Sequence, residues 1–326
     1  MASPGLRIGI IGCGSAARAH AGRLLAIGGV SLAGCADADL GAARALGESG
    51  GAPAFADHAE MLRAASPDAV AIFTPHPSHY RPAMDALQSG CHVFIEKPLS
   101  TSVQEAVDIV GLARGRGRTV GVGHQLRLLP SLIRAREMLA EGAVGRVRLI
   151  TATLAVPWLE SHRGEEHSWR FDPKLAGGGM LADAGVQLID ALLWTTGQGA
   201  VEASAIQGRD DSGPDLVTAA AVRLADGTPA TLAITGVSPG GLYEWTYHGE
   251  GGRLRATEGS LIEERGGGPG RPVPLSGPAR SVDEDFVAAV LGGPPPCCPA
   301  DQALDTVRLL EAITRSAAIG QVVRLA

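Results

Sequence analysis

Asp183 and Gln187 are two residues whose types and spacing could do chemistry. They lie four positions apart in the segment GGGMLADAGVQLID, within a stretch that has helical spacing from about Met180 to Trp194. Residues four apart share one face of a helix, so both side chains can reach the same ligand. A carboxylate can position a hydroxyl group, whereas an amide donates and accepts hydrogen bonds but takes up no proton at neutral pH. Gln187 can therefore orient a substrate oxygen but cannot act as a base. A proton released by a substrate must go to another group.

A glycine-rich turn near the N-terminus, GIIGCGSAAR, has the residues to bind a dinucleotide. Gly12-x-Gly14-x-x-Ala17 directly follows a strand pattern and directly precedes a helical one. Gly12 allows the tight turn, Gly14 lets the backbone approach a pyrophosphate, and Ala17 allows the helix to pack closely on the strand. Ser15 and Ala16 lie at the helix N-terminus, where free N–H groups favour an anion. This context predicts a dinucleotide site, and an ordinary βα turn is the alternative.

Asp37 ends the second predicted strand, at about the twenty-residue separation from the glycines that such sites show. Its carboxylate is expected to accept hydrogen bonds from the ribose hydroxyls of the adenosine. Because an acidic side chain repels a 2′-phosphate and no arginine follows directly, the sequence favours NAD over NADP. The alternative is that Asp37 only caps the next helix.

Lys97 is a third candidate, in the segment CHVFIEKPLS. The apolar run predicts a buried strand, and Glu96, Lys97 and Pro98 stand at its carboxyl end, where ligands bind in open α/β sheets. A lysine beside a nicotinamide can hydrogen-bond a substrate hydroxyl and accept its proton. A surface ion pair between Glu96 and Lys97 is the alternative that these residues alone leave open.

The elements that must position these residues follow two different patterns. LRIGIIG, VSLAGCAD, DAVAIFTP, CHVFIEKP and RTVGVG are apolar, strand-like runs separated by helical patterns, which predicts βαβ units and a doubly wound parallel sheet. After about Gly123 come longer β-prone stretches, two of them joined by a hairpin turn at Asp226-Gly227. We expect an α/β fold with a Rossmann domain over 1–123 and an α+β domain with a large, mainly antiparallel, open-faced sheet over 124–326. The last helix could pack on either domain.

The composition argues against several other classes of protein. With 326 residues, 45% apolar and 19% charged, the chain is globular and long enough for about two domains. A net charge of −6 and scattered arginines give no electrostatic footprint for nucleic acid or an anionic membrane. No apolar run is long enough for a signal peptide or a membrane span, and five cysteines without CxxC spacing favour neither disulfides nor metal. We expect a cytoplasmic protein, and a redox role for the adjacent Cys297 and Cys298 stays open.

Five short segments, spread over nearly the whole chain, carry a family resemblance. In chain order they are GCGSAA, TPHPSH, CHVFIEKPL, WRFDPKLAGGG and GGGMLADAG, and the similarity extends to the closing VRLLEAITRSAAIGQVV. Read together, they resemble the Gfo/Idh/MocA family of NAD(P)-dependent sugar and polyol oxidoreductases. The resemblance implies a Rossmann domain that binds the cofactor and an antiparallel sheet that forms the substrate cleft and the oligomer interface. A homodimer or homotetramer is the corresponding expectation.

The resemblance also implies residues that contact the cofactor. Lys97 matches the lysine of the family's EKP motif, and the bond between Lys97 and Pro98 is expected to be cis. Gln125 falls where the family turns toward its second domain, so it could touch the nicotinamide or the substrate. For one of the loop histidines, His79, a plain helix-start position is the alternative. The loop residues expected to line the cofactor are Thr74, Pro75, His76 and His79, with Glu96 close by.

The candidate helix departs from the family at one position. Asp183 matches the aspartate that positions a substrate hydroxyl, whereas Gln187 stands where many members have a histidine that acts as general acid and base. Such assistance is worth about 10²–10⁴-fold in rate. Lys97 is therefore the first candidate for the proton acceptor, and Asp183 is the second. Arg170 matches a segment near the nicotinamide and could bind a substrate oxygen or form a structural ion pair.

The loop PWLESHRGEEHSWR offers further residues that could contact substrate. Trp158, His162 and His167 are expected there, and either histidine could reach over the cleft as a base. Exposed loop positions are the alternative for both histidines. His167 and Glu166 invite a metal interpretation, but no HxH or HExxH spacing occurs, so no metal is expected.

Hydride transfer is the function that these residues favour. The expected reaction links NAD with a hydroxyl- or keto-bearing carbon of a sugar, an inositol-like polyol or a sugar derivative, and few charges near the site favour a neutral substrate. One alternative is a lyase or glycosidase that retains NAD and oxidises a sugar carbon transiently. Another is a non-catalytic NAD-binding protein.

Overall fold

The fold consists of two units, each built from two separate stretches of chain. The computed structural model describes residues 5–163, 169–209, 213–277 and 280–325. The first unit comprises the described residues up to 124 together with 280–304, and the second comprises 125–277 and 305–325. Residues 280–304 thus belong to the first unit, although the linear pattern suggests one boundary near residue 123. These residues join the first unit because they contact residues far from them in sequence, such as His20 with Asp283.

A parallel sheet of six strands forms the centre of the first unit. The strands are β1 (Leu6–Ile11), β2 (Val30–Ala36), β3 (Ala54–Phe55), β4 (Ala69–Ile72), β5 (His92–Ile95) and β6 (Val120–Val122). Their order across the sheet is β3-β2-β1-β4-β5-β6, and every pairing is parallel. The order reverses between β1 and β4, and ligands bind such sheets at the carboxyl ends of the strands beside this reversal.

Helices connect these strands, as the alternating pattern predicts. They are α1 (Ser15–Leu25), α2 (Leu40–Gly50), α3 (His58–Ala65), α4 (Tyr80–Gln88) and α5 (Val103–Arg116). The central strands are almost wholly buried because helices cover both faces of the sheet, which explains their continuous apolar sequences.

The second unit combines helices with a sheet of nine strands. Its helices are α6 (Pro130–Ala140), α7 (Trp158–Arg163), α8 (Pro173–Ala176) and α9 (Val186–Thr196). Its strands are β7 (Val147–Ala155), β8 (Ala200–Arg209), β9 (Asp215–Leu224), β10 (Pro229–Thr235), β11 (Leu242–Gly249), β12 (Gly252–Thr257), β13 (Leu261–Arg265), β14 (Arg271–Pro272) and β15 (Val323–Arg324). The order is β14-β13-β12-β11-β7-β10-β9-β8-β15, antiparallel except between β7 and β10.

One face of this sheet packs on helices and the other is open. α9 is apolar almost all round and nearly every residue in it is buried, as expected for a helix in a core. β9 alternates strictly between buried and exposed side chains from Leu216 to Leu224, which is the pattern of a sheet covered on one side. The tight turn at Asp226-Gly227 joins β9 to β10, and this confirms the predicted hairpin.

Two helices close the chain, α10 (Val282–Val290) and α11 (Ala300–Ile319). α10 starts with a capping box, in which Ser281 Oγ accepts a hydrogen bond from Glu284 N and the Glu284 carboxylate accepts one from Ser281 N. α10 packs on α1 within the first unit. It thus completes a layer of helices that the N-terminal third of the sequence begins.

Candidate active site

The turn after β1 requires glycine at position 12. Gly12 has a φ of +82°, and a Cβ there would lie 2.7 Å from backbone atoms of Phe73 and Thr74. Gly14 stands at the N-cap of α1 without a side-chain cap, and a Cβ at Gly14 would meet no described atom within 4 Å. The first N–H groups of α1 therefore adjoin open space, which is the arrangement that binds a pyrophosphate.

Asp37 is held at the end of β2 by two backbone groups. Cys13 N donates to Asp37 Oδ2 at 2.6 Å, and Asp39 N donates to Asp37 Oδ1 at 2.8 Å. Each carboxylate oxygen has a second lone pair, so both can still accept a hydrogen bond from a ribose hydroxyl. The cap of α2 is Asp39, whose side chain accepts from Gly41 N at 2.8 Å. This excludes the alternative in which Asp37 caps that helix.

The TPHPSH segment forms a compact turn after β4. Pro75 precedes a 3₁₀ turn at His76–Ser78, and Thr74 Oγ1 donates to the Ser78 carbonyl at 3.0 Å. His76 is buried, with its ring centroid 6.0 Å from that of His79. Thr74 and Pro75 are half-buried at the carboxyl end of β4, next to the glycine turn.

His79 joins two loops of the first unit. Its side chain is fully buried, with Nε2 2.9 Å from the Thr74 carbonyl oxygen and Nδ1 2.8 Å from the Pro98 carbonyl oxygen. Burial lowers the pKa of His79 to about 4, although both carbonyl contacts act in the opposite direction. Because both ring nitrogens face backbone carbonyls, this geometry fits a structural histidine at the helix start better than a cofactor ligand.

Lys97 is half-buried at the carboxyl end of β5. The Lys97–Pro98 peptide is cis, as the resemblance implies. Glu96 N donates to the Ile72 carbonyl at 3.0 Å, which continues the pairing of β5 with β4 up to this point. The position of Lys97 is therefore set from both sides, by sheet pairing before it and by the contact of His79 with Pro98 after it.

A buried polar cluster lies next to Glu96, and the sequence gives no indication of it. His20 of α1 places Nδ1 2.6 Å from Asp283 Oδ1 and Nε2 3.8 Å from Glu96 Oε2. Arg23 Nε donates to Asp283 Oδ2 at 2.5 Å. Since Asp283 follows His20 by 263 residues, no local pattern could have paired them.

In the second unit, Asp183 lies in a π-helical turn, Leu181–Gly185, that leads into α9. Its side chain is buried, and Trp158 Nε1 and Arg170 Nε both donate to Oδ2 at 2.8 Å. Arg170 thus forms the structural ion pair that was the alternative for this residue. The guanidinium also lies 4.6 Å from the centroid of the Trp169 ring. Three of the predicted substrate residues, Trp158, Arg170 and Asp183, are in this way in direct contact.

Gln187 occupies the first turn of α9 and is 4% exposed. One turn further on, Asp190 accepts hydrogen bonds from Arg127 Nε and Arg127 Nη2, both at 2.8 Å, in a fully buried pair. Thr306 Oγ1 donates to the same carboxylate at 2.9 Å. These bonds fix the orientation of α9 and hence the side on which Gln187 lies.

Two further predicted residues, Gln125 and His162, are more exposed than Asp183. Gln125 is exposed at the start of a 3₁₀ turn, Gln125–Leu128. His162 is half-buried, and its ring centroid lies 5.4 Å from that of Trp158. His167 and Glu166 lie outside the described residues. The structure therefore groups one set of predicted residues in each unit.

A row of three aromatic residues in the second unit was not predicted from the sequence. β11 has the sequence LYEWTYHG, in which Tyr243, Trp245 and Tyr247 alternate and point to the helix-covered face of the sheet. Their partners in β7 are Leu154, Ala152 and Ile150, all buried. The Tyr-x-Trp-x-Tyr spacing is the signal that could have predicted an aromatic row on one face.

Family models match most of the chain. Residues 6–124 match the model described as an oxidoreductase family with an NAD-binding Rossmann fold. Residues 132–255 match the model of the GFO/IDH/MocA C-terminal domain. Within the part of the chain that the structure describes, no helix is both long and apolar enough to cross a membrane.

Several known proteins are similar to this chain. D-glucoside 3-dehydrogenase of Escherichia coli K12 is 31% identical over 206 residues, which are 62% of this chain and 57% of that enzyme. 1,5-anhydro-D-fructose reductase of Ensifer adhaerens is 30% identical over 265 residues, 78% of this chain and 75% of that one. The structure of an aldose-aldose oxidoreductase from Caulobacter crescentus, complexed with glycerol, matches with a TM-score of 0.86 at 22% identity and covers 98% of this chain and 100% of that one. This last likeness establishes the fold.

Proposed function

Because the chain belongs to the Gfo/Idh/MocA family of oxidoreductases, which act on sugars and polyols, we propose that it transfers hydride between NAD and a hydroxyl- or keto-bearing carbon of a neutral sugar or polyol. The relatives named D-glucoside 3-dehydrogenase and 1,5-anhydro-D-fructose reductase support neutral glucosides and anhydrosugars as the first substrates to try. Inositols belong to the same chemical class of vicinal cyclic alcohols. The reaction changes one secondary alcohol into a ketone, or the reverse.

The main support for this proposal is that three loops meet at one edge of the parallel sheet. They follow β1, β4 and β5, which are neighbours in the sheet. Gly12 approaches Thr74 closely, and His79 contacts both Thr74 and Pro98. Lys97 is therefore held at the same edge as the glycine turn, where the nicotinamide half of a dinucleotide would extend along the strand ends.

The residues of the first unit fit NAD. The uncapped N-terminus of α1 beside Gly14 suits the pyrophosphate, and the fixed carboxylate of Asp37 suits two ribose hydroxyls. A negative charge held at that position disfavours the 2′-phosphate of NADP, which supports NAD as the preferred cofactor. When bound, NAD supplies the hydride acceptor or donor.

The chain's own residues bind and orient the substrate. Lys97 is proposed to hydrogen-bond the reacting oxygen, which polarises a ketone or favours loss of a hydroxyl proton. Asp183, with its carboxylate oriented by Trp158 and Arg170, would accept a hydrogen bond from a substrate hydroxyl. Gln187 would donate or accept a further hydrogen bond through its amide. None of these roles requires a charged substrate.

The proposal also includes a cytoplasmic location and self-association through the open face of the second sheet. Ile206 is 78% exposed on β8, and Val217, Ala219 and Ala221 are exposed on the neighbouring β9. Contiguous apolar side chains on an otherwise polar surface are typical of protein interfaces. A second copy of the chain is the proposed partner, in a homodimer or a homotetramer.

Lys97→Ala tests the central assignment. The wild type is first assayed with NAD and with NADP on a panel of methyl D-glucosides, inositols and 1,5-anhydro-D-fructose, following formation or loss of the reduced nicotinamide. On the best substrate, Lys97→Ala should lower kcat by about 10²-fold or more, because the group on the reacting oxygen is lost. Its dissociation constant for NADH should change far less. Arg81→Ala, which removes an exposed cation of the same unit, is the matched control.

Two outcomes would contradict the proposal in different ways. Turnover by Lys97→Ala close to that of the wild type would remove Lys97 from the reaction. Product formation with tightly retained NAD and no net change in nicotinamide absorbance would instead identify a lyase or glycosidase that oxidises its substrate transiently.

A further inference from the structure

The aromatic row of β11 runs beside α9. Tyr247 Oη lies 2.6 Å from Thr195 Oγ1, near the C-terminal end of the helix. Trp245 Nε1 donates to the Leu188 carbonyl at 3.3 Å, near the middle. Strand and helix therefore run in the same direction along this contact. The remaining residue of the row, Tyr243, lies further toward the N-terminal end of α9.

That end of the helix carries Asp183 and Gln187. Asp183 precedes Leu188 by five residues, or about 7.5 Å along a helix, and Tyr243 precedes Trp245 by two residues, or about 6.8 Å along a strand. The two displacements match, so Tyr243 lies beside the turn that holds Asp183. The rings of Tyr243 and Trp245 are stacked, with centroids 6.1 Å apart and 26° between planes. This stacking fixes the ring of Tyr243 on the helix-covered face.

The hydroxyl of Tyr243 differs from that of Tyr247 in its surroundings. Tyr247 is fully buried and its hydroxyl is paired with Thr195. Tyr243 is only half-buried, and its hydroxyl makes no hydrogen bond to any residue that the structure describes. A buried tyrosine hydroxyl usually has a protein partner, whereas a half-buried one can bond solvent or a ligand. A ligand oxygen would supply a partner here.

Burial and nearby carboxylates keep the hydroxyl of Tyr243 protonated. Burial raises the pKa of Tyr243 to about 12, and the carboxylates of Glu258 and Asp183 add to the effect. The side chain is therefore a neutral donor throughout the range in which enzymes work. It can give a hydrogen bond to a substrate oxygen, which Gln187 can also do, and it can give up the proton itself, which Gln187 cannot.

We propose that Tyr243 is a catalytic residue that donates a proton to the reacting oxygen, in place of the histidine that the helix lacks at Gln187. This inference rests on the proposed function. In the reductive direction the carbonyl carbon takes up the hydride of NADH, and the π electrons of the C=O bond form a new O–H bond with the Tyr243 proton. The O–H bond of Tyr243 breaks, and the resulting phenolate regains a proton from water.

The test uses three variants of the full chain on the best ketone substrate of the panel. Tyr243→Phe removes only the hydroxyl, so kcat should fall by about 10²-fold or more while the NADH dissociation constant stays within about threefold. The double variant Tyr243→Phe with Gln187→His should have a kcat at least tenfold higher than that of Tyr243→Phe alone. It should also give kcat a pH dependence near the ordinary histidine pKa of about 6.5, which the wild type lacks.

Tyr247→Phe is the matched control, because it removes a hydroxyl from the same strand and face. It should lower thermal stability by removing the bond to Thr195 and leave kcat within about twofold. The proposal is overturned if Tyr243→Phe keeps wild-type kcat, if it fails to fold or to bind NADH, or if Gln187→His restores nothing. If the wild type turns over no member of the panel, the proposed function fails and this inference fails with it.

Discussion

His79 is a residue whose effect on stability should depend on pH. Its imidazole is fully buried, and burial lowers its pKa to about 4 from an ordinary value of about 6.5. A pKa lowered by folding means that the folded state favours the neutral ring. The stabilising contribution is therefore complete above pH 6.5 and is lost as the pH falls toward and through about 4.

We expect the first unit to lose about 2 to 3 kcal/mol of unfolding free energy between pH 7.5 and pH 4.5 through this residue. Urea unfolding of the wild type and of His79→Gln at both pH values measures the effect. The variant should be less stable at pH 7.5, since Gln cannot span both the Thr74 and Pro98 carbonyls, but it should lose less stability on acidification. An equal loss in both proteins would show that another group dominates acid unfolding.

At the scale of elements, α10 shows how a late segment supports an early one. The first turn of this helix places Asp283 against His20 and Arg23 of α1, and the carboxylate is almost completely buried. The two hydrogen bonds to this carboxylate are of the charge-assisted kind, which contribute about 1.5 to 3 kcal/mol each. Asp283→Asn keeps the shape of the side chain but leaves His20 and Arg23 without the carboxylate.

We therefore expect Asp283→Asn to lower the unfolding free energy of the first unit by about 2 kcal/mol, measured by urea unfolding at pH 7. NADH affinity should fall with it, because the proposed pyrophosphate site lies at the N-terminus of α1 and His20 also faces Glu96 beside Lys97. Glu284→Gln, in the exposed capping box of the same turn, is the control and should have a much smaller effect on both readouts. Equal effects of the two substitutions would mean that the buried cluster adds nothing specific.

The elements themselves were largely predictable from local patterns, but the contacts between distant segments were not. Apolar runs and glycines predicted the parallel sheet and the tight glycine turn after β1, and Asp226-Gly227 predicted the hairpin between β9 and β10. Local signals could not pair His20 with Asp283, nor could they distinguish Asp39 from Asp37 as the cap of α2. Such pairings depend on how the chain returns in space, which no window of neighbouring residues contains.

The same limit applies to the candidate site. A carboxylate and an amide four residues apart were visible in the sequence, and the resemblance assigned their roles. The engagement of Asp183 by Trp158 and Arg170 required the folded chain, as did the approach of Tyr243 from a strand about sixty residues later. The roles of side chains on different elements become clear only when packing brings those elements together.

At the scale of the whole molecule, the open face of the second sheet has the character of an interface between copies. Ile206, Val217, Ala219 and Ala221 form an exposed apolar patch across β8 and β9. Next to the patch, Arg223 pairs with Glu202 at 2.7 Å, so charged groups border it. An apolar centre with a polar rim is the usual anatomy of a protein interface.

Ile206→Glu should convert the proposed oligomer into smaller species, because a carboxylate at the centre of the patch would be buried without a partner in the assembly. Light scattering coupled to size-exclusion chromatography measures the mass, with the wild type expected at two or four copies. Leu291→Glu is the matched control, since Leu291 is also an exposed aliphatic side chain, 63% accessible, but follows α10 in the first unit. The face is not the interface if both variants keep the wild-type mass, or if the wild type itself is a monomer. Loss of mass in Ile206→Glu alone, with NADH affinity unchanged, would place the contact between copies on β8 and β9.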